Sequence, residues 1–196
     1  MKHLFLCILF LLPICLVAQT RVGIAGGGSF SNKDQGVIGG LMVQKDLGDF
    51  SSINLSINYI EKPTSLTILN DNPEQELIRP RIQYFSIPIQ YQYHFSVQQV
   101  RLGLYGGPYL AYGFKGTLYD KQKELRVDID FEEMGLHRLD YGLQLGAGIE
   151  LDLLDNKRMF VKGCYELGLR DLDQKAAYTF SEGWVFLMGF LVPVGQ

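Results

Sequence analysis

Few residues in this chain have the chemistry of a catalytic or metal site, and their placement argues against one. Beyond Ala18 the histidines are His94 and His137, and the single thiol is Cys164. Hydrolysis needs a nucleophile or activated water held beside a base. His94 falls near the end of an apolar–polar alternating segment. His137 lies in a polar stretch from which only Asp140 and Ser181 are conceivable partners. A solitary loop histidine is ordinarily solvated. Cys164 shares its face with Lys162 and Glu166 and reads as a small filler. Asp128, Asp130, Glu132 and Glu133 lack the glycine and spacing of a calcium loop, and Asp128 and Asp130 read as part of an extended, wet hairpin. Ala25-Gly-Gly-Gly28 has no following Lys-Ser/Thr pair, so it is not a phosphate loop. The expectation is a protein with no catalytic residues, no metal and no cofactor.

A second set of polar residues is better organised. Arg101, Asp140, Gln144, Glu150, Lys162, Glu166 and Arg170 all fall on the polar side of alternating segments. In Tyr141–Leu151 the odd positions are apolar, while the even ones are Gly142, Gln144, Gly146, Gly148 and Glu150. Successive side chains of a strand point to opposite faces, so this is a ribbon with one greasy and one polar side. Eight such strands are expected, near 20–31, 36–46, 51–61, 82–95, 99–113, 139–152, 157–170 and 182–194. Tight turns near 48–49, 96–98 and 154–156 alternate with longer segments at 32–35, 62–81, 114–138 and 171–181. Short turns on one side and long loops on the other are the signature of an outer-membrane barrel, with both termini periplasmic.

The same alternation would fit a soluble lipocalin-like barrel with its faces exchanged. Three features favour the membrane. The polar face carries Gly, Ser, Asn and Gln, as in Asn54-Ser56-Asn58, more than Lys and Glu. Aromatic residues cluster near strand ends on the apolar face, with Tyr59, Phe85, Tyr112, Tyr141 and Trp184 towards the loops and Tyr93 and Phe95 towards the turns. Rings of this kind suit the two membrane interfaces. Several strands are also long enough to cross the hydrocarbon at a tilt.

Residues 1–18 read as a signal peptide, with Lys2, an apolar run from Leu4 to Val17, and Ala18 before Gln19. Pro13 and the short run exclude a membrane-spanning helix. Residues 19–196 then form one barrel domain, exported to the outer membrane. Cys7 and Cys15 lie in the signal, which leaves no internal disulfide. A net charge of -3 with no basic run makes nucleic acid an unsuitable partner.

The run Tyr84-Phe-Ser-Ile-Pro-Ile-Gln-Tyr91, followed by Gly106-Gly-Pro-Tyr-Leu-Ala-Tyr112, resembles the PorT-like outer-membrane β-barrel family of Bacteroidetes. Asp140–Leu151 and Tyr165-Glu-Leu-Gly-Leu-Arg170 add to the likeness, which is good from Tyr84 onward and looser before it. The resemblance implies an eight-stranded barrel without established catalytic residues. The namesake is linked to secretion and gliding machinery, and none of these motifs carries that role over. The terminal assembly signal is degenerate, since Gly189, Val192 and Val194 keep its spacing but Pro193 and Gly195-Gln196 interrupt and extend it.

An eight-stranded barrel is just wide enough for side chains to fill it. Arg101, Glu150 and Lys162 are expected towards the turns, and Asp140, Glu166 and Arg170 towards the loops. A symmetric 152–157 turn sets Gln144 opposite Glu166 and Asp140 opposite Arg170. Inward glycines at 103, 107, 142, 146, 148 and 168 would make room for Tyr105 and Tyr109. Balanced charge favours a paired plug over a pore. The function expected is therefore a non-enzymatic structural or interaction barrel. Its partners are the outer-membrane bilayer, the barrel assembly machinery during biogenesis, and a protein partner at loops 62–81 and 114–138. A porin-like small-solute channel is the alternative, and a soluble lipid-binding barrel a distant third.

Overall fold

The computed structural model describes residues 19–31, 34–63, 79–120, 125–128, 130–132, 136–171 and 180–194. The proposed signal segment 1–18 and parts of the long connections lie outside them. The strands are β1 (Thr20–Ser31), β2 (Asp34–Asp46), β3 (Ser51–Pro63), β4 (Arg79–Val97), β5 (Val100–Asp120), β6 (Leu125–Asp128), β7 (Leu139–Asp152), β8 (Arg158–Asp171) and β9 (Phe180–Val194). Eight of them close an antiparallel barrel in which β1 pairs with both β2 and β9 and β4 pairs with β5. The ninth, β6, pairs only with the upper part of β5, so that Thr117 faces Asp128 and Asp120 faces Leu125. This is the extended hairpin expected around Asp128.

The expected strands are present, and several run further. β3 continues to Pro63, β4 begins at Arg79 and β5 reaches Asp120, so the segments 62–81 and 114–138 are shorter as loops than the sequence implied. Alternation weakens there, because strands that rise past the membrane need no apolar outer face. A register shift at Gln83/Tyr84 turns both Phe114 and Lys115 outward. At the tight connections Gln98, Asp155 and Asn156 take positive φ of 57°, 59° and 57°. The left-handed region suits Asp and Asn, whose short polar side chains bond locally.

The two faces of the wall are opposite to those of a soluble barrel. Outward side chains such as Leu145 (66% exposed), Ile24 (65%) and Leu41 (65%) are bare, whereas Gln44, Gln92, His94 and Asp140 are fully buried. A water-filled surrounding would leave this apolar belt far above the patch size a soluble monomer tolerates. The soluble, lipocalin-like reading fails on this point.

Tight curvature depends on the inward glycines. A Cβ on Gly23, Gly27 or Gly107 would lie 1.8–1.9 Å from a carbonyl oxygen of the adjacent strand. On the outward Gly26 and Gly39 it would meet nothing nearer than 3.9 and 3.6 Å. Inward glycines therefore let neighbouring backbones fold in on a narrow lumen. The expectation that they make room for tyrosines holds in part: Gly142 lies against the Tyr109 ring and Gly103 against Tyr105. Gly107, Gly146, Gly148 and Gly168 lie first against the neighbouring strand's backbone.

Candidate functional site in the barrel lumen

The inward positions of the eight barrel strands bring the polar residues into one column with two charged ends. At the turn end, Arg158 is fully buried. Its guanidinium Nε donates to Asp152 Oδ1 at 2.8 Å, and Nη1 forms ion pairs with Glu150 at 2.9 Å and Asp46 at 3.6 Å. Arg101 Nε donates to the other Asp152 oxygen at 2.7 Å, and its Nη1 lies 3.2 Å from His94 Nε2. Arg21 ties β1 to two neighbouring turns, through Asp46 Oδ2 at 2.6 Å and the Asn156 carbonyl at 3.2 Å. Glu150 also accepts from Gln92 Nε2 at 2.9 Å and Gln44 Nε2 at 3.3 Å. Three arginines thus meet three carboxylates.

Mid-lumen, side-chain amides relay between the ends. Lys162 Nζ donates to Gln90 Oε1 at 2.8 Å, Gln90 Nε2 to Gln144 Oε1 at 2.6 Å, and Gln144 Nε2 to Glu166. Lys162 also lies 5.3 Å from the Tyr105 ring centroid. Cys164 is buried and free, with its sulfur 3.7 Å from Gln90 Nε2.

At the loop end, Lys62 bridges Glu166 (2.8 Å) and Asp140 (3.1 Å) and donates to Ser181 Oγ at 3.3 Å. It sits over the rings of Tyr109 (4.6 Å) and Tyr84 (5.5 Å). Beside it, an apolar cluster packs at the loop end. Phe131 and Leu136 are buried with Ile38, Ile60, Ile82 and Tyr84. The cluster is fastened by Leu136 N–H to the Phe131 carbonyl (2.7 Å), by Gly113 N–H to the Arg138 carbonyl (2.6 Å), and by the Arg138 guanidinium over the Phe131 ring (4.6 Å).

Among the described residues of the lumen, five cations (Arg21, Lys62, Arg101, Arg158, Lys162) equal in number five carboxylates (Asp46, Asp140, Glu150, Asp152, Glu166), and Lys162 is held by the Gln90 amide oxygen. Such charges are tolerable inside only when paired and hydrogen-bonded. An ammonium that already donates to two carboxylates has no lone pair with which to deprotonate Ser181, so Lys62 and Ser181 are not a nucleophilic dyad. Among the described residues no group of three His, Cys, Asp or Glu is arranged to hold a metal.

Of the residues expected in the lumen, Asp140, Gln144, Glu150, Lys162 and Glu166 are buried, and Arg101 is partly so. Gln144 does face Glu166 across β7 and β8. Asp140 and Arg170 are not brought together, which corrects the pairing drawn from turn symmetry. Arg170 lies half-buried with His137 Nδ1 at 3.1 Å, while Asp140 takes Lys62 from β3. The β7–β8 register ends at Gly142 and Gly168, and β8–β9 pairing shifts between Leu167 and Asp171.

Sequence reasoning missed Arg21, Asp46, Lys62, Asp152 and Arg158. Each keeps the inward parity of its strand, and all but Lys62 lie beside a tight turn. Outside, Phe85, Tyr93, Phe95, Tyr112, Tyr141 and Trp184 are exposed and Tyr59 is half-exposed. Phe114 stacks on Phe85 at 4.6 Å, and Tyr165 meets Trp184 edge-on at 5.3 Å, so the loop-side ring set is larger than expected.

Residues 18–174 match the model for the outer membrane protein beta-barrel domain, and the chain belongs to that family. It is a small outer-membrane barrel whose apolar outer face meets the lipid bilayer. Its fold is similar to a major outer membrane protein from Thermus thermophilus, at 13% identity and TM-score 0.62 over 91% of this chain and 100% of that one. Neisserial surface protein A (NspA) from Neisseria is similar at 10% identity and TM-score 0.54, over 89% and 94% of the two chains. At such identities the likeness is one of fold alone. No curated protein matches the sequence.

Proposed function

We propose that this chain is a non-enzymatic, plugged barrel of the PorT-like group, exported by residues 1–18, that serves as a structural or interaction protein through its loops. What supports the reading is how the two ends of the lumen are filled. Paired arginines and carboxylates occupy the turn end, and Phe131 and Leu136 are buried among apolar residues of the loop end. The turns face the periplasm on this reading, which leaves segments 62–81 and 114–138 as the outward contact surfaces. The aromatic residues then mark the two membrane interfaces.

Closure is tested with the purified chain in planar bilayers and with Cys164 as a built-in reporter. The barrel should be electrically silent, and a small membrane-permeant thiol reagent should leave Cys164 unlabelled. Steady conductance that changes on neutralising Arg101 or Glu150 would establish the channel alternative instead. Deleting residues 64–78 or 121–124, which spares the strands, Lys62, Phe131 and Leu136, should keep the heat-dependent gel shift of a folded barrel while abolishing partner pull-down from cross-linked cells. An unchanged pull-down from both deletions would overturn the loop assignment.

A further inference from the structure

On the outer wall at the loop end, four aromatic rings adjoin across β8, β9 and β1. Trp184 stacks on Phe186 at 6.2 Å, Tyr165 meets Trp184 edge-on at 5.3 Å, and Phe30 meets Phe186 edge-on at 5.7 Å. Trp184, Phe186 and Phe30 are all exposed. Glu182 precedes Trp184 by two positions on β9, so its side chain points outward as well. Its exposed carboxylate accepts from the Tyr165 hydroxyl at 2.9 Å and, among the described residues, pairs with no cation. Glu61, which is outward at the loop end of β3, is by contrast neutralised by Arg81 at 3.0 Å. A carboxylate without a counter-ion thus stands at the edge of an aromatic patch.

We infer that Tyr165, Glu182 and Trp184 form an external site for the headgroup of a lipid that carries a primary ammonium, with Phe186 and Phe30 below it for the start of the acyl chains. The carboxylate supplies charge and free lone pairs for the ammonium N–H groups, and the faces of Trp184 and Tyr165 attract a cation. A quaternary ammonium has no N–H to donate, and an anionic headgroup is repelled. A divalent metal of the calcium type takes roughly six to eight oxygen ligands, and a single carboxylate falls far short. A lysine from another protein has the same chemistry, but this wall is the one that the bilayer covers. The inference rests on the proposed placement of Trp184 at the loop-side membrane interface, where an indole keeps its ring in lipid and its N–H among headgroups.

Trp184 is the single tryptophan of the chain, so its emission reads this site alone. The folded full chain in uncharged maltoside micelles is titrated with phosphatidylethanolamine or phosphatidylglycerol, each with bromine near the headgroup end of its chains as quencher. Phosphatidylethanolamine should quench at about threefold lower mole fraction, the scale of one exposed ion pair. Equal quenching by both lipids would keep Trp184 at the interface and overturn the headgroup site. Quenching by neither would overturn the interface reading and the site with it. Glu182→Gln should abolish the preference and Tyr165→Phe should shrink it, whereas Glu61→Gln should leave it unchanged. A preference that survives Glu182→Gln would overturn the site, and if that variant lost its folded gel shift, the wild-type lipid comparison and Tyr165→Phe would still decide. Soluble ethanolamine at matched concentration should not relieve the quenching. Full relief would make this a free-amine site and overturn the lipid assignment.

Discussion

The two ends of the lumen solve one problem by different means. Both bury full charges, but the turn end does so with a many-membered network and the loop end with one lysine beside an apolar cluster. Arg158 reaches three carboxylates, and Arg101 and Arg21 engage two of the same three. Among the described residues Lys62 is the single cation between Asp140 and Glu166, and Phe131 and Leu136 are buried at the same end. A network shares the loss of one member among the rest. A lone bridge leaves two carboxylates facing each other.

That contrast can be broken by substitution. Arg158→Met should have the largest effect, about 4 kcal/mol, because it strips a fully buried cation from three carboxylates. Lys62→Met should follow at about 3 kcal/mol, since Asp140 and Glu166 then lose their common partner. Denaturant titrations of both variants, followed by the folded gel shift, give the order. A costlier Lys62→Met would mean that the apolar cluster, more than the network, governs how charge is tolerated. Leu136→Ala should lower stability by about 2 kcal/mol and let a thiol reagent reach Cys164, which reads loosening of the cluster directly. Lys115→Gln, breaking a pair with Asp128 that is exposed on both sides, should change stability by less than about 0.5 kcal/mol. A larger loss would show that the projecting β5–β6 hairpin, and not only the lumen, holds the barrel together.

The register at the turn end was legible in sequence, although four members of its network, Arg21, Asp46, Asp152 and Arg158, were not singled out. Strand parity put Arg101 and Glu150 inward, and the β7–β8 turn fixed the register that sets Gln144 against Glu166. Short turns set Arg158 beside Asp152, six residues away, while Arg101 reaches the same carboxylate across 51 residues. At the loop end the partners come from afar: Lys62 and Asp140 are 78 residues apart. The parity that runs through Asn54, Ser56 and Asn58 does extend to Lys62, yet nothing in it names Asp140. Phe131 and Leu136 were illegible altogether, because two apolar residues in a polar segment have no period to betray burial. The aromatic positions on the outer face followed from alternation, whereas Phe114 depended on a bulge that alternation cannot foresee.

The inward glycines set a limit on remodelling this wall. Where neighbouring backbones already nest against Gly23, Gly27 and Gly107, the bore is fixed by main chain. Trimming the side chains that fill it would leave hollows without enlarging its circumference. Anyone wishing to turn this scaffold into a sensor aperture for larger analytes would have to add strands, since circumference grows with strand number.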